Sequence, residues 1–145
     1  MSYAVGQQAS LRKTVTEADI ILFAGVSGDA NPVHIDELAA RESRFGRRIA
    51  HGMLGASLLS AVLGMRLPGP GTVYLNQTLA FRRPIYIGDT VTAQAEIIAL
   101  RDSKPIATLR TTLVNQDGEL LIEGEAVVLL PEEGSGIRGQ GAGPA

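Results

Sequence analysis

The sequence predicts an α+β fold, a single domain in which a curved antiparallel sheet wraps round one buried apolar helix. Three observations predict it. Residues 52–65 (GMLGASLLSAVLGM) are apolar or small on every face, the composition of a helix buried all round. From residue 72 the hydrophobic period changes to two and holds through most of the remaining chain. Turn residues separate those runs, and Asp117-Gly118 is a strong hairpin signal, so the strands follow one another as a meander.

Residues 7–15 read as a short strand. Thr16 is placed as a helix N-cap, with Asp19 three positions on in a capping-box place. Ala18, Ile21, Leu22 and Gly25 repeat at helical spacing, which predicts a helix over about 17–26. Residues 27–50 are polar, contain Pro32 and lack a clear period; they predict a loop with a short helix at about 37–43 behind Asp36. Loops this long in a domain this size are often functional. The apolar helix stops at LPGPG, 67–71. Strands are expected at 72–83, 90–99, 106–115 and 119–130. Val91, Ala93, Ala95, Ile97 and Ala99 share one face of the second, and their small size suits a close helix. Residues 1–130 form the expected domain. The tail 131–145 holds five glycines and little to bury, so it is expected to be disordered.

Composition narrows the function. The chain has 145 residues, 45% hydrophobic and 19% charged, with 13 basic and 15 acidic side chains. No basic run exceeds a pair (Arg47-Arg48, Arg82-Arg83), so no nucleic-acid partner is expected. Cysteine is absent, which removes disulfides, thiolate catalysis and Fe–S clusters. The two histidines show no metal-ligand spacing, and no metal or cofactor is expected. Residues 1–7 are neither basic nor strongly apolar, and no apolar run reaches the ~20 residues that span a bilayer. A cytoplasmic protein without a membrane partner is expected.

Chemistry-bearing residues concentrate in and beside the irregular stretch. Asp29, Asn31 and His34 lie within SGDANPVHID. A carboxylate and an imidazole form an acid–base pair that works near neutral pH and can hold one water. Asp-x-Asn-Pro is equally a turn sequence, because Asp and Asn bond their own backbone. The residues alone leave both readings open. His51-Gly52 opens the apolar helix, where first-turn N–H groups lack intrahelical acceptors. Gly52 has no side chain to shield its amide from a carbonyl oxygen; it also simply permits tight packing.

SGDANPVHID at 27–36, followed by RRIAHGMLGASLLSAVL at 47–63, resembles the MaoC-like hydratase/dehydratase family, and within it the short (R)-specific enoyl-CoA hydratases of polyhydroxyalkanoate synthesis. The resemblance spans about residues 4–130 and includes YLNQTLAFRRPIYIGDTV at 74–91. It implies a hot-dog fold and reversible (R)-specific hydration of trans-2-enoyl-CoA, without a cofactor. It places the catalytic pair on Asp29 and His34, supported by Asn31, and the thioester-oxygen donor on the Gly52 N–H. Ser60, Leu63 and Val128 match acyl-pocket positions, with His51 counted beside them as substrate-binding. Leu63 and Val128 are bulky enough to favour short chains, about four to six carbons. The partners implied are an acyl-CoA substrate and a second copy of the chain in a homodimer joined sheet edge to sheet edge. The competing readings are a 3-hydroxyacyl-acyl-carrier-protein dehydratase, which runs the same steps in reverse, and a non-catalytic thioester-binding subunit.

Overall fold

In the computed structural model, which describes residues 2–132, strand β1 (Gln8–Thr14) leads into helix α1 (Glu17–Ser27). Two short helices follow, α2 (Pro32–Ile35) and α3 (Glu37–Arg41), and then the long α4 (Gly52–Met65). The chain continues through β2 (Val73–Gln77), β3 (Ala80–Phe81), β4 (Thr90–Leu100), β5 (Ile106–Val114) and β6 (Leu120–Leu129). Most of the tail expected to be disordered, from residue 133 on, lies outside the described residues. No helix among the described residues is long and apolar enough to cross a membrane.

Polar caps set the helices of the first half. Thr16 and Asp19 form the capping box of α1, each side chain accepting from the other's backbone N–H. Gly28 closes α1 in the left-handed conformation, φ 81°, where a Cβ is strained. Asn31 accepts from Val33 N–H and starts α2; Asp36 accepts from Leu38 and Ala39 N–H and starts α3. The stretch expected to be a loop with one short helix behind Asp36 contains that helix as α3 and also α2, too short to show a period.

The strands pair antiparallel in the order β1-β4-β5-β6-β2, and β3 also pairs β6. β4, β5 and β6 form the expected meander, with β1 returning to flank β4. The expected strand over 72–83 is broken. Both halves lie against β6, but they are interrupted at Thr78-Leu79, where Thr78 Oγ1 takes the Glu125 N–H at 2.9 Å. Gly124 allows this approach, because a Cβ there would meet the Thr78 carbonyl oxygen.

The fold-class expectation needs correction. The domain is α+β and hot-dog-like, but its sheet is open and not strongly curled, and it does not wrap round α4. β1 and β2 end it as edges. The cause lies in α4, which has only one core-facing stripe: Leu54, Gly55, Leu59, Val62 and Leu63 are buried. That stripe packs against β4, β5 and β1. Gly55 brings the helix close enough that a Cβ would strike Ile85 and Ile122. On the other side Met53, Ser57, Ser60 and Met65 face outward. A helix with one apolar face to cover needs one sheet face, not an enclosing one. Beneath it Ile97, Leu109, Leu113 and Leu121 are fully buried, each worth roughly 1.5–3 kcal/mol of burial.

Candidate active site

The site begins where α1 ends. After Gly28 the chain turns at Asp29, whose Oδ1 accepts the Asn31 N–H at 3.2 Å. Asn31 caps α2, and α2 carries His34. The same short polar bonds that make the turn also bring the Asp29 carboxylate near the His34 ring. Asp29 is exposed and His34 is buried. Asp29, His34 and His51 each bring one donor atom to within 4.8 Å of the others.

Hydrogen bonds assign the tautomers. His34 Nδ1 lies 2.8 Å from the Ile49 carbonyl oxygen. A carbonyl only accepts, so Nδ1 carries the hydrogen and the neutral ring keeps its lone pair on Nε2. His51 Nε2 donates to the Asp29 carbonyl at 2.7 Å, which leaves the lone pair on Nδ1. The two rings stack, with centroids 3.9 Å apart and planes at 28°. In stacked rings the in-plane lone pairs run side by side rather than converging, so these three residues are poorly arranged to share one metal ion.

Two groups missed by sequence reasoning hold His34 from behind. Arg48, buried, donates Nε to the His34 carbonyl at 2.7 Å. Its other nitrogens grip Glu17 at 2.5 and 3.0 Å. Hydrogen bonding to Arg48 holds the Glu17 carboxyl below its ordinary range, burial opposing and charge attraction assisting. Ile49 supplies the carbonyl that fixes the His34 tautomer and is itself held in a bridge with Tyr86. Glu17 and Arg48 are distant in sequence, so no local pattern announces the pair.

Gly52 is the first residue of α4, and its N-cap His51 offers no side-chain bond to the helix end. The Gly52 N–H therefore has no intrahelical acceptor. A Cβ on Gly52 would lie 2.8 Å from the Phe81 ring, so only glycine fits without a shift. Gly52 lines a cavity of 400 Å³ with Phe45, Phe81, Arg82 and Arg83. A second, more apolar groove of 580 Å³ lies between α4 and β2, lined by residues including Phe23, Met53, Ala56, Ser60 and Tyr74. Asp29 and His34 line neither. Phe23 connects the groove to the site, its ring centroid 4.9 Å from that of His51. Ser60 is on the groove wall. Leu63 and Val128 sit in the core cluster and do not line it.

A carboxylate and a histidine ring beside an open helix N-terminus on a hot-dog-like domain fit one class of protein. The sequence profile of the MaoC like domain matches residues 4–117, and the chain belongs to the MaoC-like hydratase family. Among relatives, it is 54% identical over 129 residues to the (R)-specific enoyl-CoA hydratase of Rhodospirillum rubrum, covering 89% of each chain. It is 35% identical over 129 residues to a mitochondrial 3-hydroxyacyl-[acyl-carrier-protein] dehydratase of Solanum lycopersicum, covering 88% of this chain and 77% of that one. The solved structure of the (R)-hydratase from Aeromonas caviae involved in PHA biosynthesis superposes with a TM-score of 0.88 at 51% identity, covering 90% of this chain and 98% of that one.

Proposed function

We propose that this protein is an (R)-specific enoyl-CoA hydratase, a hydro-lyase adding water reversibly to trans-2-enoyl-CoA to form (R)-3-hydroxyacyl-CoA. One observation carries the reading: the Asp29 carboxylate and the His34 ring lie within 4.8 Å, and the His34 ring stacks on His51, the residue immediately before Gly52 at the open N-terminus of α4. Relatives that are more than half identical carry the same activity in their names.

The geometry performs the reaction as follows. Asp29 and His34 Nε2 hold one water between them. One member of the pair takes a proton as the water oxygen bonds to C3 of the enoyl thioester. The C2=C3 electrons move toward the thioester oxygen, which the Gly52 N–H meets as charge develops. The proton taken from the water is handed on to C2, directly or across the pair, so Asp29 and His34 end in their starting states and the sum is water added across one double bond. The acyl chain occupies the α4–β2 groove, with Ser60 on its wall. The carrier end lies at the Gly52 cavity.

Loss of the conjugated enoyl-thioester absorbance, with chiral analysis of the product, tests this. No hydration by folded protein rejects the activity, and an (S) product rejects its stereochemistry. A second reading, dehydration on acyl carrier protein, is favoured by Arg82 and Arg83 at the rim of that cavity. Both already face carboxylates, Arg82 with Glu123 at 2.8 Å and Arg83 with Glu119 at 3.5 Å, which leaves less charge for an acidic carrier protein. A kcat/KM higher on acyl-carrier-protein substrates than on CoA would favour it over the first.

A second copy of the chain completes the assembly in this reading. The edge strand β2 exposes Val73, Tyr74 and Leu75, and α4 exposes Met53 beside it. Pairing two such edges covers both the apolar side chains and the free backbone groups. Light scattering giving the monomer mass of 15.3 kDa at micromolar concentration counts against it.

A further inference from the structure

His51 takes no part in the steps above, yet it touches all three groups that do. Its ring stacks on His34 at 3.9 Å. Its Nε2–H donates to the Asp29 carbonyl at 2.7 Å. Its own carbonyl accepts from Leu54 and Gly55 N–H at 3.0 and 3.4 Å, which seats it at the start of α4 with Gly52 next in the chain. The residue is 2% exposed, so it acts through its neighbours rather than on substrate.

Packing alone does not account for a histidine here. Among the described residues, His51 Nδ1 is buried and has no hydrogen-bond partner. An unpaired buried acceptor costs stability. A phenylalanine would fill the same space beside Phe23 and His34 without that cost. What phenylalanine lacks is the Nε2–H, the one polar tie between α4 and the Asp29 backbone. His34 is in turn fixed from its other side by the Ile49 carbonyl. The two rings are thereby held as opposite tautomers, His34 with hydrogen on Nδ1 and His51 with hydrogen on Nε2.

We propose that His51 is a positioning residue that locks the two members of the acid–base pair to one another and to the oxyanion donor: its Nε2–H holds the Asp29 backbone and its ring face holds the His34 ring. The inference rests on the proposed roles of Asp29 and His34. Removing the lock displaces reacting groups without removing a thioester contact, so kcat falls and KM changes little. Misplacement on the scale of an ångström lowers rate by about a hundredfold.

Three variants separate the two functions of the ring. His51→Phe keeps the stacking and loses the donor. His51→Gln keeps a side-chain N–H and loses the ring. His51→Ala loses both. On a four-carbon enoyl-CoA, kcat is expected to fall about ten- to a hundredfold in His51→Ala and less in the other two, with KM within about twofold. The wild-type protein supplies a readout that needs no variant. Its two histidines give separable ring-nitrogen NMR signals, expected to show one Nδ1–H and one Nε2–H tautomer; in His51→Ala the His34 signals are expected to shift with loss of the stacked ring while keeping the Nδ1–H tautomer that the Ile49 carbonyl fixes. Folded variants with unchanged kcat overturn the proposal, as does a wild-type spectrum in which both rings share one tautomer. If the variants do not fold, the wild-type spectrum decides. Asp29→Asn and His34→Ala run alongside. Should they retain turnover, the acid–base reading itself fails; should they be inactive while the His51 variants are normal, only the role of His51 fails.

Discussion

Strands β4, β5 and β6 and the segment between β1 and α4 are held together by different means. The strands bury Val91, Ala93, Ala95, Ile97, Leu109 and Leu113 along long backbone ladders, each interrupted by one register shift. The segment from 16 to 51 buries little that is apolar. It depends on individual polar bonds: Thr16 with Asp19, Asp29 with Asn31, Arg48 with His34 and Glu17, His51 with Asp29. Of the buried polar residues, His34, Arg48 and His51 all lie there. Burial is non-directional and spread over many atoms, whereas a hydrogen bond fixes one atom against another. The first region therefore supplies stability and the second supplies geometry, and substitutions in each should separate the two properties.

The largest separation is expected at the pair itself. Asp29→Asn and His34→Ala should each lower kcat by about two or more orders of magnitude, with the melting temperature little changed; hydration assays and calorimetry on the same preparations check both. The converse is Leu109→Ala, which removes a fully buried side chain. It should cost about 2–5 kcal/mol of unfolding free energy, read by urea titration, while folded molecules keep normal turnover. Turnover lost by Leu109→Ala without loss of stability would break the division.

Leu63 sharpens it. Leu63→Ala should cost about as much in the core as Leu109→Ala and, because Leu63 does not line the α4–β2 groove, should leave the ratio of kcat/KM on eight- and four-carbon enoyl-CoA unchanged. A raised ratio would place Leu63 on the acyl slot after all. Arg48→Met tests the joint between the regions. It strips the Nε donor from the His34 carbonyl, an unpaired acceptor worth about 1–3 kcal/mol, and should lower both stability and kcat.

The smallest effect expected is at acid pH. Burial pushes the Asp19 carboxyl up, but the Thr16 N–H, Lys13 and the Thr16 hydroxyl together outweigh it and hold the group below its ordinary range. A carboxyl lowered in the folded state stabilises fully above its unfolded pKa, near 4. That contribution is lost as pH falls through the lower folded value. Wild type should therefore lose its advantage over Asp19→Asn below about pH 4, measured by urea unfolding at neutral and acid pH.

The same division explains what could be read from the sequence. The period-two runs at 90–99, 106–115 and 119–130 and the apolar run at 52–65 announced β4, β5, β6 and α4, because burial repeats along an element. The motif at 29–34 announced that Asp29 and His34 come together, and Thr16 with Asp19 the start of α1. Asp36 as a cap announced the short helix α3, expected at about 37–43 and found at Glu37–Arg41; helix α2 was not legible, since Asn31 nucleates an element shorter than a period. Neither was the open sheet: a small or apolar side chain on α4 shows what tolerates burial, not what covers it. The grip of Arg48 on Glu17 and the stacking of His34 on His51 join positions with no local relation, and only the tertiary arrangement reveals them.

The pairing of β1 with β4, Gln8 opposite Glu96 through Thr14 opposite Thr90, has a consequence for how the protein comes into being. The meander can zip from neighbouring turns, but β1 must wait for a partner that is synthesised far behind it. Closing a long loop costs entropy before its contacts return anything, and such pairings are slow. Asp29, His34, His51 and Gly52 all lie inside the loop that this pairing closes. The segment that carries Asp29, His34, His51 and Gly52 is therefore tied at both ends by a pairing that forms late, while the meander β4–β6 forms from neighbouring turns.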